Sequence, residues 1–407
     1  MKRASDPVAV GEHSPSSGVP SESSGQSRMR SIDGVRGWAA LIVVLHHTML
    51  LDPWMSHANG ETTAAVPGSF AERLIFYTPI HLFMAGPEAV QVFFALSGAV
   101  LVTAYGGAAA IRLSYLLPRL TRLYVPIFGA VLLAICVASV RPQLPSTAVS
   151  DWHAQYLHVL TLGNLGSSVP SFLSDLLVLP GTSFLDAPLW SMRVEIAMSM
   201  LLILVWAMAR FRVLGFLAAC GVAAAFRHVP SMHWLTSTLP LFVGGAGLAL
   251  SGWRPSRRQG TFLVVSAGLA LSAPFMALSF GFESAFRFQI VTNAVGALAI
   301  TAASLGDSLL APVLTGRVGQ YLGQRSYSLY LVHLPVVLVA SLWIVSIGGG
   351  QPNWWVWRLP LVMLALVVTE GFYRFVEAPA HSFSRRVRGR LKAAEARGRD
   401  TTDERKR

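Results

Sequence analysis

The chain has 407 residues, of which 53% are hydrophobic and only 13% charged, with a formal net charge of +12. Soluble domains carry about 25% charged residues, so the composition excludes an ordinary soluble domain and points to a chain whose solvent is mostly lipid. No nucleic-acid partner is expected, because the basic residues sit in short clusters between apolar runs and form no soluble basic domain.

In chain order, residues 1–30 are rich in Ser, Pro and Gly and lack an apolar stretch. They read as a disordered N-terminal tail and not as a signal peptide. A bilayer core of about 30 Å needs about 20 apolar residues per helical crossing. On that basis helices are predicted near 36–56, 89–105, 124–141, 187–209, 213–227, 235–252, 261–278, 288–305, 326–346 and 355–376. The long loops at 57–88 and 142–186 hold aromatic and polar residues and are expected to pack over one face of the bundle. Cys136 and Cys220 lie inside apolar runs, so neither a disulfide nor a metal site is indicated, and no metal cofactor is expected.

The predicted fold class is all-α: a polytopic membrane helix bundle of about ten transmembrane helices with both termini cytoplasmic. That topology agrees with the positive-inside rule. It leaves only Arg73, Arg141, Arg193, Arg227, Arg287 and Arg358, of 32 Lys and Arg, on or near the outer side. Residues 31–383 then form the transmembrane domain. Residues 384–407 form a basic cytoplasmic tail suited to an anionic inner leaflet. The expected location is the cell's inner (plasma) membrane, as a multi-pass protein.

Ionisable groups inside apolar spans are costly and mark function. Here they are His46 and His47 in the first predicted helix, Arg193 and Glu195 in the fourth, His333 in the ninth and Glu370 in the tenth. His47 is eleven residues beyond Arg36, so it lies about 16 Å up a core about 30 Å thick. Glu195 falls about 12 Å below the outer face, close to the same level, and Ser97 reaches a similar depth. A His and a carboxylate at one level make a candidate base-and-orienter pair, with a packing role for the His as the alternative. Arg119 and Arg122 are three apart and share a helical face. Guanidinium groups suit phosphate oxygens, although on spacing alone an ordinary positive-inside cluster is the better reading.

Several segments carry a resemblance. The run Ser31-Ile32-Asp33-Gly34-Val35-Arg36-Gly37-Trp38, continuing to His46-His47, resembles the opening signature of the acyltransferase-3 family. So, in order, do Val92-Phe93-Phe94-Ala95-Leu96-Ser97-Gly98, the Arg119/Arg122 pair and Trp190-Ser191-Met192-Arg193-Val194-Glu195. Ser326-Tyr327-Ser328-Leu329-Tyr330-Leu331-Val332-His333 and Tyr373-Arg374-Phe375-Val376-Glu377-Ala378-Pro379 complete the set. The resemblance implies an O-acyltransferase in the lipid bilayer that moves an acyl group, often acetyl, from acyl-CoA to a carbohydrate or glycolipid acceptor. His47 would take the acceptor proton or carry the acyl group, and Glu195 would orient it. Arg36, Arg119 and Arg122 would hold the coenzyme phosphates. His333 would contact the thioester arm or serve packing, and Ser97 would line the site or ease helix approach. The competing classes are a proton-coupled transporter or glycan flippase, and a non-catalytic scaffold.

Overall fold

The computed structural model describes residues 22–60, 66–105, 113–157, 188–229, 237–282 and 287–404, together with Leu177 and Met232. Most of the expected N-terminal tail and much of the 142–186 loop lie outside them. The described residues are helical and contain no strand. Helix α1 (Glu22–Met49) starts inside the segment expected as tail, since no proline interrupts the chain between Pro20 and Pro53. It stops before the expected residue 56 because Pro53 opens a new helix, α2 (Pro53–Gly60), at 110° to it. Asp52 caps that start, accepting the Met55 N–H at 3.1 Å.

Next come α3 (Phe70–Phe76), α4 (Gly86–Tyr105), α5 (Leu113–Ser139) and the short α6 (Asp151–Leu157). The fourth expected helix is two helices, α7 (Leu189–Met200) and α8 (Leu202–Ala209), bent by 73°. Then follow α9 (Val213–Ala225), α10 (Leu239–Leu250), α11 (Arg257–Ser279), α12 (Gln289–Ser304), α13 (Ala311–Thr315), α14 (Arg317–Gly348) and α15 (Trp354–Phe372). A π-turn at Tyr373–Glu377 leads into α16 (Ala378–Glu404), so the basic tail continues the last helix.

Among the described residues, five helices are long and apolar enough to cross a membrane, or seven if each bent pair is one span. The ten crossings expected from the sequence are not reached. Helices α9, α10 and α12 have 13, 12 and 16 residues. At 1.5 Å per residue they extend about 18–24 Å, short of a core of about 30 Å. Large side chains such as Phe262, Ile290 and Leu359 are exposed on the outside of the bundle, as a lipid solvent requires. The protein is a multi-pass membrane protein.

Two close crossings position the interior. An added Cβ on Gly37 of α1 would sit 2.4 Å from the Gly323 nitrogen of α14. One on Gly98 of α4 would sit 2.1 Å from the Phe242 oxygen of α10. Small residues let apolar helices pack backbone to backbone, the main source of cohesion where lipid is the solvent. The pair α1 and α14 therefore forms a tight spine, and both its helices carry candidate site residues.

Candidate active site

Two adjoining cavities run between α1, α4, α5, α7 and α14. One is lined by Arg36, Ser97, Arg119, Arg122, Glu195 and Tyr327 with apolar neighbours. The other shares Arg36, Ser97, Glu195 and Tyr327 and extends to Phe93, Ser191, Ser326 and Tyr330. Five of the seven residues singled out from sequence thus meet on one continuous space. His47 and His333 do not line it. They sit behind Tyr330, whose carbonyl bonds to the His333 ring.

The arginine end is a network of fixed charges. Helix α5 starts eleven residues before its predicted start, which places Arg119 and Arg122 on helix rather than loop. Arg119 donates from Nε to the Ser199 hydroxyl at 2.8 Å and from Nη2 to Glu195 Oε1 at 3.3 Å. Ser199 in turn donates to the Glu195 carbonyl at 2.6 Å, which fixes the carboxylate and its serine on one turn of α7. Arg122 donates from Nε to His381 Nε2 at 2.9 Å. Arg36 makes no hydrogen bond or ion pair with the described residues, yet its guanidinium lines both cavities. Behind this group Glu377, buried, accepts the Ser328 N–H at 3.0 Å and the Ser328 hydroxyl proton. The closing motif of the chain is thereby tied to the S-Y-S-L-Y-L segment of α14.

The histidine end has a different logic. His333 Nδ1 lies 2.9 Å from both the Leu329 and Tyr330 carbonyl oxygens. A carbonyl only accepts, so Nδ1 carries the proton and Nε2 of the neutral ring holds the lone pair. His333 Nε2 is 2.9 Å from His47 Nδ1, which must then be the donor. The lone pair of neutral His47 is left on Nε2. His333 is fully buried, whereas His47 is only partly so. His46, its neighbour, faces away and donates from Nδ1 to the Met84 carbonyl at 2.7 Å. The sequence pairing of His47 with Glu195 is not what the geometry presents: Glu195 bonds Arg119, and the ring that orients His47 is His333.

The acyltransferase-3 sequence model (Acyltransferase domain) matches residues 29–373. The chain belongs to the acyltransferase-3 family. The protein is accordingly an O-acyltransferase. PaAT-1, an O-acetyltransferase of Phomopsis amygdali, is 23% identical over 449 aligned positions covering 88% of this chain and 84% of the relative. No solved structure gives a significant match.

Within this acyltransferase-3 domain the quoted segments converge on one place. Ser191 donates to the Pro188 carbonyl at 2.9 Å, so the contact of its oxygen with Tyr330 at 2.8 Å takes the phenol as donor. Tyr327 donates to the Leu123 carbonyl at 2.8 Å and thereby ties α14 to the Arg122 turn of α5. Ser191, Tyr327 and Tyr330 were quoted as motif letters and not as site residues. Ser326, Tyr330 and His333 are spaced i, i+4, i+7, the signature of one helical face, and that spacing could have grouped them. The indole of Trp152 on α6 lies against the His47 ring, with centroids 5.4 Å apart and planes 18° from parallel. Nothing in the sequence around Trp152 signals that placement.

Proposed function

We propose that this O-acyltransferase takes an acyl group, most simply acetyl, from acyl-CoA and places it on a hydroxyl of a sugar or cell-envelope glycan, from within the plasma membrane. The observation that carries the reading is a cationic cavity reaching Tyr330, with a histidine behind that tyrosine whose tautomer leaves a lone pair on Nε2. The family supplies acyl transfer; the cavity's chemistry argues for the donor. Coenzyme A carries phosphates, and a guanidinium without a carboxylate partner is a ready anion site. Arg36 fits that role. Among the described residues Arg122 uses only Nε, on His381, and Arg119 keeps one Nη free of described bonds. The phosphates would lie at this end, with the thioester reaching along the cavity toward Tyr330.

His47 Nε2 would accept the acceptor's hydroxyl proton as the oxygen forms its bond to the thioester carbonyl carbon. The carbon–sulfur bond then breaks, its electron pair goes to sulfur, and the His47 proton returns to the thiolate. The products are the ester and free coenzyme thiol. His333 would position His47 by accepting its Nδ1–H, a role that a backbone carbonyl enforces through the second nitrogen. Glu195 would act on Arg119 rather than on the base. Ser97 lines the cavity at the junction of its two parts, and Gly98 beside it explains the helix approach. The domain limits proposed are those of the sequence reading, 31–383 for the transmembrane domain and 384–407 for the tail.

The test is transfer of radiolabelled acetyl from acetyl-CoA into envelope glycan by membranes holding the wild-type protein or equally abundant His47→Gln protein. Label in wild type alone supports the reading. Equal label in both removes His47 from the mechanism.

A further inference from the structure

His47 acquires a positive charge in the reaction proposed above, and the inference below rests on that reading. Among the described residues no carboxylate hydrogen-bonds or ion-pairs with His47, and Glu195 is committed to Arg119. What touches the ring is His333 on one side, hydrogen-bonded at 2.9 Å, with His46 beside it edge-on at 5.3 Å, and the indole of Trp152 at 5.4 Å, nearly parallel. A cation within about 6 Å of an indole is attracted by the electron-rich ring face, more strongly where water is excluded.

Trp152 is not there by casual packing of a loop. The Ser150 hydroxyl, buried, donates to the Leu50 carbonyl at the end of α1 at 2.8 Å. The same oxygen accepts the His153 N–H at 3.3 Å, which makes it the cap of α6. The Trp152 backbone N–H donates to Ser56 Oγ of α2 at 3.1 Å. Two hydrogen bonds therefore pin this short helix to the same bend, at Leu50 and Ser56, that ends the helix bearing His47. The indole is braced from behind by Tyr156, with ring centroids 5.1 Å apart. The 110° turn after α1 thereby has a use: it brings up the serine that anchors the platform.

We propose that Trp152 is a positioning residue of the transfer step, whose indole stabilises the protonated imidazole of His47 in place of a carboxylate. A neutral aromatic platform stabilises the charged ring only when the proton arrives, so it favours the transition state over the resting site. A fixed carboxylate would hold the ring charged beforehand and remove its lone pair. The platform lies outside the arginine-lined cavity, so donor binding is independent of it.

The experiment measures acetyl transfer from radiolabelled acetyl-CoA, with membranes of the expressing cell as the source of acceptor. It compares wild type, Trp152→Phe, Trp152→Leu, His47→Gln, and proteins with mono-, di- and trifluorotryptophan placed at position 152 alone. Fluorine drains the ring face of charge at nearly constant size. The expected result is a stepwise fall in kcat with each fluorine, a loss of about tenfold in Trp152→Leu, a smaller loss in Trp152→Phe, and an unchanged KM for acetyl-CoA. Full rate across the fluorinated series with a slow Trp152→Leu protein would show a packing role and overturn the assignment. So would wild-type rates in every Trp152 variant while His47→Gln is inactive. If His47→Gln itself turns over like wild type, the underlying reading of His47 as the base is what fails, and the platform falls with it.

Discussion

The two ends of the site are built on opposite electrostatic plans. At the arginine end, permanent charges answer one another: Glu195 meets Arg119 at 3.3 Å, and Glu377 sits behind Arg36 and Arg122. At the histidine end no carboxylate among the described residues bonds the rings; a backbone carbonyl fixes the tautomer of His333, which fixes that of His47. The first plan suits capture of an anion, since a guanidinium with spare donors can add phosphate oxygens without protonation change. The second suits movement of a proton, since neutral rings can take one up and return it. The difference teaches that the carboxylate of the W-S-x-x-x-E segment bonds Arg119 and that the ring bonded to His47 is another histidine; under the proposed function the first serves donor binding and the second orients the base.

Substitutions can break this comparison in order of severity. His47→Gln should lose about 10²–10⁴-fold in kcat, the usual worth of a general base, while acetyl-CoA binding persists; loss of binding with turnover would erase the division between the ends. His333→Leu should lose about 10–100-fold in kcat because Nδ1–H of His47 is left without an acceptor. His333→Gln should recover most of that, as its Oε1 reaches the place of Nε2. Equal damage in both variants would mean that His333 only fills space. Arg36→Ala should raise KM for acetyl-CoA about 10–100-fold, the scale of a charge-assisted hydrogen bond to phosphate, with kcat little changed. A kcat effect instead would put Arg36 at the reacting carbonyl. Glu195→Gln should be mildest, a few-fold rise in KM through a loosened Arg119, against the loss of turnover that the family resemblance implies. An inactive Glu195→Gln protein would return that carboxylate to the chemistry and sink the two-plan account.

Much of the fold was readable in advance, and the reason is period and length. The apolar runs gave a helix at each expected position, because in lipid a backbone has to satisfy its own hydrogen bonds. What the runs misjudged was continuity. Pro53 cuts the first run, Leu201 marks the bend in the fourth, and no feature of residues 373–377 in isolation announces that the last helix continues through a π-turn. The ten expected crossings go unconfirmed among the described residues for the same reason: an apolar segment of 12 to 16 residues looks like part of a span until its real ends are seen.

Arg36, Ser97, Arg119, Arg122 and Glu195 were picked out by charge at membrane depth or by motif, and the structure brings all five to one cavity. Those are properties that a linear chain carries on its face. The partners were a different matter. Whether Glu195 faces His47 or Arg119 depends on the rotation of α7 about its own axis, and depth along a helix contains no information about rotation. Trp152 lies 105 residues from the ring it covers, on a helix too short to predict, held there by two serines of unremarkable context. The sequence by itself therefore determined a multi-pass helical acyltransferase and five residues that line one space, because composition, periodicity and motif letters are local. Only the tertiary structure decided which ring orients which, and where the charges cancel, because hydrogen bonds across helices depend on contacts between distant segments, such as His47 and His333, 286 residues apart.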